Sequence, residues 1–303
     1  MTTSATAVQP VGALAGPEVE PRPSSSGREP LSAERREELV TTLQTDGIVG
    51  LKGAFDPAWA DRLDEDVRAA FEEARARPGG AVSRGPQRWY VEVHPEQIRG
   101  FADLASHPWV VQVATEVLGP DYEIVELGFD IPFAGAVDQP WHRDFPMPET
   151  TRTERRLTSL AINVTTVDTA EDMGPFEIAP GTQWDDSPEF DHEMFPPRSH
   201  YGRYLERAVR KYPRRGDVSI RSALTIHRGT ANQSQLARPV LVFGLDVPGA
   251  GNMAHHDMAV TPGYLASLPQ VVRDHMVCPV VDQLQPIVQK HTIEGLVMGD
   301  TGE

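Results

Sequence analysis

After residue 120 the chain changes texture, and that change most limits what it can fold into. Short apolar runs appear at Glu123 to Phe133, Thr158 to Val167, Phe176 to Ala179, Val218 to His227 and Val240 to Val247, divided by clusters of Gly, Pro and Asp. Short runs separated by turn residues predict antiparallel strands closed into a sandwich or barrel.

The first 120 residues read differently. A helical stripe runs from Ser32 to about Thr45 through Leu39, Val40 and Leu43, and Asp46-Gly47 ends it. A short strand, Ile48 to Leu51, follows. Asp56-Pro57 predicts a helix start, with Asp as cap and Pro in the first turn, and that helix should reach Arg77 before Pro78-Gly79-Gly80. A further helix is expected from Glu96 to Leu118, stopped by Gly119-Pro120. Residues 198 to 212 read as a helix-bearing insertion, and the last 40 residues as a cover for one end of the barrel. Residues 1 to about 30 are rich in Pro, Ser, Thr, Gly and Glu and predict a disordered tail, leaving 31–303 as a single domain.

The formal net charge of −16 argues against nucleic acid and anionic membrane as partners, because both need a basic surface. Cys278 is the single cysteine, so no intramolecular disulfide can form. No basic-then-apolar leader and no apolar run near the ~20 residues needed to span a bilayer is seen. The expected location is the cytoplasm.

The residues that carry chemistry fall in one ordered set: His142-Arg143-Asp144, then His227, then Arg238. Along a strand, residues i and i+2 face the same way, so His142 and Asp144 can converge on one ion. With His227 from a second strand they make two imidazoles and one carboxylate, a set that leaves metal positions open for co-substrate and O2. A His-x-Asp triplet is common by chance, and His255-His256-Asp257 is another, with His94-Pro95-Glu96 a relative. Pro95 suits a central strand poorly, and His255 follows Gly249-Ala250-Gly251-Asn252, which reads as solvated loop.

Arg238-Pro239 opens an apolar strand on which Arg238, Val240, Val242 and Gly244 share a face whose small residues leave room for a ligand. A guanidinium clasps a carboxylate through two bonds, as a lysine cannot. In the run Thr158 to Val167, Leu160, Ile162 and Val164 form an apolar face, while Ser159, Ala161, Asn163 and Thr165 form a small polar one. Asn163 or Thr165 is a candidate donor to the acidic co-substrate, although ordinary strand alternation explains the pattern equally. Trp89, Tyr90, Phe133 and Trp184 are candidate pocket aromatics that packing explains better, and Arg88 and Arg143 can meet an anion. Arg143 should point away from the ligands, into a structural salt bridge.

With these residues in view, the chain resembles the phytanoyl-CoA dioxygenase family of iron(II)/2-oxoglutarate oxygenases. The matching pieces are Asp46-Gly47-Ile48-Val49, the stretch Val113 to Leu118, Gln139-Pro140-Trp141-His142-Arg143-Asp144, Met173-Gly174-Pro175-Phe176-Glu177-Ile178-Ala179-Pro180-Gly181-Thr182, and Gly216-Asp217 through His227-Arg228-Gly229 and Asn232 to Arg238. Gln183-Trp184 and Met173 depart from the usual residues and touch no ligand. The resemblance implies a mostly β fold with flanking helices, a double-stranded β-helix of the jelly-roll or cupin-like kind. It implies Fe(II) on His142, Asp144 and His227, with 2-oxoglutarate as co-substrate held by Arg238 and O2 as oxidant. It implies hydroxylation or another oxidation of an unactivated C–H bond in a small molecule, with 2-oxoglutarate leaving as succinate and CO2. Related halogenases lack the carboxylate, so Asp144 argues against halogenation. Bacterial secondary metabolism is the expected setting. Two other readings stay open: a cupin-like metalloenzyme that does not use 2-oxoglutarate, and a non-catalytic binding module on the same scaffold. The substrate and the oligomeric state are not legible in the sequence.

Overall fold

The Ser32 hydroxyl accepts the Arg35 N–H at 3.2 Å and so starts α1 (Ala33–Asp46) in the computed structural model, which describes residues 29–290. The tail expected over residues 1 to about 30 falls almost wholly outside the described residues. Gly47, at φ 76°, ends α1 by donating its N–H to the Leu43 carbonyl. β1 (Ile48–Leu51) follows at once. Asp56 then caps α2 (Pro57–Arg75), with Pro57 in its first turn.

Two strands that sequence pattern hides come next, β2 (Val82–Ser83) and β3 (Arg88–Glu92). The helix expected over Glu96 to Leu118 is in fact three pieces: a 3₁₀ turn at Pro95–Gln97, α3 (Phe101–Ala105) and α4 (Pro108–Leu118). Pro108 is the cause. It lacks an N–H and drives His107 to extended backbone, φ −61° and ψ 126°, where the His107 ring accepts the Trp109 N–H.

The remaining elements are β4 (Glu123–Pro132), α5 (Glu149–Glu154), β5 (Ser159–Thr165), β6 (Phe176–Ile178), α6 (Tyr201–Leu205), β7 (Val209–Lys211), β8 (Val218–Ser222), β9 (His227–Gly229), β10 (Val240–Asp246), α7 (Pro262–Ser267) and α8 (Gln270–Arg273). Seven strands form one antiparallel sheet in the order β1-β8-β5-β10-β4-β3-β2, and three form a second in the order β7-β6-β9. Both sheets line one cavity. This is the jelly-roll, double-stranded β-helix architecture, with helices outside.

The expected strand Val218 to His227 is therefore two strands in different sheets. Between them the chain turns, with the Thr225 N–H on the Ser222 carbonyl and the Leu224 N–H on the Ser222 hydroxyl. Ala223, Leu224 and Ile226 are buried at this corner, so its apolar composition conceals the turn. The 198–212 insertion does carry α6, but it ends as β7 on the small sheet. The final stretch runs along β3 and β4. Ile124 N–H donates to His275 O at 2.8 Å and Glu92 N–H to Gln289 Oε1 at 2.9 Å.

Alternation along the large sheet separates core from cavity. Leu160, Ile162 and Val164 join Leu241 and Phe243 in the core shared with Leu43, Leu63, Val67 and Val113 of the helices. Burying such side chains stabilises by about 1.5–3 kcal/mol each before entropy is charged against it. The opposite face of the same strands, with Ala161, Asn163, Thr165, Val242 and Gly244, lines a cavity of about 1600 Å³.

Candidate metal centre

His142 and His227 are brought together by backbone. His142 N–H donates to His227 O at 2.9 Å and His227 N–H returns to His142 O at 2.8 Å. Asp144 N–H donates to Ala223 O at 3.0 Å. The segment 142–144 is thus extended but is an isolated bridge, not the regular strand expected. Pro140 and Pro146 bracket it and supply no N–H for a longer ladder.

Both imidazoles are oriented in the same way. His142 Nδ1 lies 2.8 Å from Pro140 O, and His227 Nδ1 lies 2.8 Å from Thr225 O. A carbonyl only accepts, so each neutral ring carries its proton on Nδ1 and presents a bare Nε2. Burial, then the neighbouring His227, lowers the His142 pKa to about 3. Burial, then Arg221, lowers His227 too. Both rings stay neutral, the form that binds metal.

Asp144 completes the group. Its Oδ1 lies 3.3 Å from His227 Nε2, and the donor atoms of all three residues lie within 4.8 Å of one another. An octahedral ion with bonds of about 2.1 Å places neighbouring donors about 3 Å apart. Burial alone would raise the Asp144 carboxyl, but Arg221 and then His227 outweigh it and hold it well below the usual range. The donor set fits a divalent first-row metal bound on one face.

Arg221 is the functional residue that sequence reading missed. Its Nη1 donates to Asp144 Oδ2 at 2.6 Å and its Nη2 to Oδ1 at 3.3 Å, while Nε reaches Asn163 Oδ1 at 3.3 Å. Alternation in Val218-Ser219-Ile220-Arg221-Ser222 was the available signal, since it puts Ser219 and Arg221 on the polar face. Arg221→Met should leave Asp144 unaimed and weaken iron binding by about 10–100-fold, read by metal titration of the purified protein.

The second part of the site is positive. Arg238, just before β10, is 4 % exposed and lines the cavity, and only its Nε has a partner, Met173 O at 3.2 Å. Burial, then the nearby Arg88, lowers its pKa to about 10, so it stays charged at neutral pH. Arg88 is 1 % exposed, and none of its three guanidinium nitrogens has a hydrogen-bond partner. Its Nε stands 3.6 Å from Asp130 Oδ2. Gly229 makes room for it, because a Cβ there would overlap the guanidinium. Two buried cations with one carboxylate between them leave donors and charge unmatched, which fits a dicarboxylate co-substrate.

Asn163 lends its carbonyl to Arg221, which leaves only its NH2 to donate elsewhere. Thr165 Oγ1 donates to Val167 O at 3.1 Å. Both line the cavity. Among the described residues Arg143 makes no salt bridge. It donates to the carbonyls of Glu193 and Asp185, at 2.9 and 3.0 Å, and so ties down the loop beside the metal ligands. Of the four aromatics singled out by sequence, Tyr90 alone lines the cavity. Trp89 lies under Arg75, Phe133 against Phe71, and Trp184 donates to Gln44 O.

The competing triplets serve structure. His94 bonds the Gln285 carbonyl and the Ala259 N–H. His256, expected in a solvated loop, is largely buried instead, 3.7 Å from Glu92, because Glu92 gathers the Asp257 and Met258 N–H groups and draws that loop inward.

Comparison with known proteins agrees with this picture. The sequence profile of phytanoyl-CoA dioxygenase (PhyH) matches residues 43–240, more than half of the chain. Among solved structures, the epimerase SnoN in complex with Fe3+, alpha ketoglutarate and nogalamycin RO superposes with a TM-score of 0.55 at 20 % identity, over 73 % of this chain and 93 % of that one. HygX from Streptomyces hygroscopicus, with nickel and 2-oxoglutarate bound, superposes with a TM-score of 0.51 at 16 % identity, over 70 % of this chain and 87 % of that one. At those identities the likeness is one of fold. No functionally curated protein matches the chain.

Proposed function

The chain belongs to the phytanoyl-CoA dioxygenase family of Fe(II)/2-oxoglutarate-dependent oxygenases, and from that premise we propose that it hydroxylates an unactivated C–H bond of a small molecule in bacterial secondary metabolism. The observation that carries this is the convergence of His142, Asp144 and His227 beside two buried, incompletely partnered guanidiniums. When bound, the iron with 2-oxoglutarate and O2 supplies the oxidising equivalent, and the keto acid leaves as succinate and CO2.

The protein's own residues do the rest. His142 and His227 present Nε2 because Pro140 and Thr225 fix their protons on Nδ1. Arg221 keeps Asp144 ionised and aimed. Arg238 is the anchor for the distal carboxylate of 2-oxoglutarate, Arg88 adds positive charge behind it, and the Asn163 NH2 and Thr165 are the polar groups on the adjacent wall. Val240, Val242 and Gly244 leave the space between anchor and metal open. Among the described residues no helix is long and apolar enough to cross a membrane. The buried Cys278 thiol and ferrous chemistry suit the cytoplasm.

SnoN is described as an epimerase, so inversion of a carbon centre is the second reading. It starts from the same hydrogen removal and differs in whether oxygen is delivered. Product mass separates the two: a hydroxylase adds one oxygen atom, an epimerase adds nothing. The first test precedes any substrate. Anaerobic Fe(II) plus 2-oxoglutarate should give a weak visible charge-transfer band with the wild-type protein. Full iron loading without that band would favour the cupin-like alternative.

A further inference from the structure

The cavity changes sign from one end to the other. The chain runs from Arg238 through β10 to Asp246, with Val240, Val242 and Gly244 facing the cavity between them. Extended chain of that length spans roughly 27 Å. One end is therefore built around guanidiniums and the other around carboxylates.

Asp246 is 2 % exposed and lines the cavity. Its Oδ1 accepts from Asn252 Nδ2 at 3.1 Å, and its Oδ2 has no hydrogen-bond partner. Glu126 on β4 pairs across the sheet with Gly244, two residues before Asp246, and its charge reaches Asp246. A Cβ on Gly244 would lie 2.7 Å from Glu126 Cβ and 3.0 Å from Oε2, so the glycine is what admits this carboxylate to the cavity wall. Glu126 Oε1 accepts the Tyr90 hydroxyl at 2.6 Å. Burial, then Glu126, raises Tyr90 well above its ordinary value, so it remains the donor.

One imidazole is shared among three acids: burial lowers the His256 pKa, but Glu92, Glu126 and Asp246 together raise it, so three carboxylates face a single cation. His256 sits on Glu92 at 3.7 Å, Lys290 on Asp257 at 2.6 Å, and Arg84 over the Tyr90 ring at 5.2 Å. Burial raises the Asp246 carboxyl; hydrogen bonds from Ser159 and Asn252 offset part of that rise, and Glu126 adds to it. One cation between the two oxygens would relieve both the desolvation and the repulsion.

The metal-binding group meets the large sheet at Arg221. Register places Arg221, which holds Asp144, in one row with Ala161, Gly244 and Glu126. That row crosses three strand spacings, roughly 14 Å. A cation at Glu126 and Asp246 is thus several bonds from the carbon at the metal, where it positions the substrate and does not react.

Resting on the oxygenase reading above, we propose that this end of the cavity binds the ammonium group of an amine-bearing substrate, with Asp246 and Glu126 as counter-charges held in place by Asn252 and Tyr90. The cavity then sorts its two ligands by charge: the acidic co-substrate to the arginines and the basic substrate to the carboxylates.

The probes are amino sugars, aminocyclitols and alkyl diamines, each run beside its N-acetyl derivative, which removes the charge and leaves the carbon framework unchanged. Thermal shift of the protein loaded with Mn(II) and 2-oxoglutarate reads binding without turnover, and succinate release with Fe(II) reads productive binding. At least one amine should show a midpoint about tenfold or more below that of its acetylated partner, and Glu126→Gln and Asp246→Asn should each erase most of that preference. The Fe(II)/2-oxoglutarate charge-transfer band should persist in both variants. Its absence from the wild-type protein would fail the oxygenase reading itself. Amines no better than their acetylated partners, or a preference left whole in both variants, would overturn the proposal.

Discussion

His142→Ala is expected to lose stoichiometric iron while the protein stays folded. Structural metal sites with four ligands are worth about 10–16 kcal/mol, so one imidazole carries about 3 kcal/mol and its loss costs about two orders of magnitude in affinity. The fold should tolerate the change because the ring is buried in its neutral form, held only by the Pro140 carbonyl. Asp144→Ala should behave differently. It also removes iron, but it strands the Arg221 guanidinium, which is 5 % exposed on its side chain. Breaking a buried pair from one side costs about 3–5 kcal/mol, so this variant should melt far below the first. Iron content by elemental analysis and melting by circular dichroism check both. Full iron in His142→Ala would place the metal elsewhere. Equal melting temperatures for the two variants would show that Arg221 is not paired as the structure has it.

How far the sequence revealed this site depends on which physical rule marked each part. The Leu160-Ile162-Val164 face and the small residues opposite were readable, because period-two alternation survives wherever one face meets the helices. The convergence of His142, Asp144 and His227 was readable by spacing, although the 142–144 segment proved to be a bridge between prolines. β3 was not readable. The alternating positions Arg88, Tyr90 and Glu92 are buried but polar, with Tyr90 on the cavity wall, so the strand lacks the apolar pattern that announces one. The corner at 223–226 was hidden for the opposite reason: its turn is buried, so it is apolar where turns are usually polar. Arg221 and Asp246 sit inside apolar runs, and a charge at a cavity-facing position of such a run was the signal to weigh. The break at Pro108 was legible from proline chemistry and was read through instead.

Arg238→Ala is expected to weaken 2-oxoglutarate more than any other single change outside the metal ligands. Truncating one partner of a buried, hydrogen-bonded charge pair costs about 2–5 kcal/mol, or roughly 30- to several-thousand-fold in Kd. Arg238→Lys should recover part of the charge but not the two-bond grip. Arg88→Met separates binding from stability. In the free protein Arg88 repels Arg238 and has only a 3.6 Å ion pair with the partly exposed Asp130, so exchanging it for an apolar side chain of similar length should change the melting temperature little. The same exchange should weaken 2-oxoglutarate by about tenfold, because the positive charge behind Arg238 is gone. If both arginines serve one carboxylate, the double variant should lose less than the product of the two single losses. Titration of the charge-transfer band with 2-oxoglutarate measures each term. Undiminished 2-oxoglutarate affinity in Arg238→Ala would remove the anchor from the site and return the cupin-like alternative to first place.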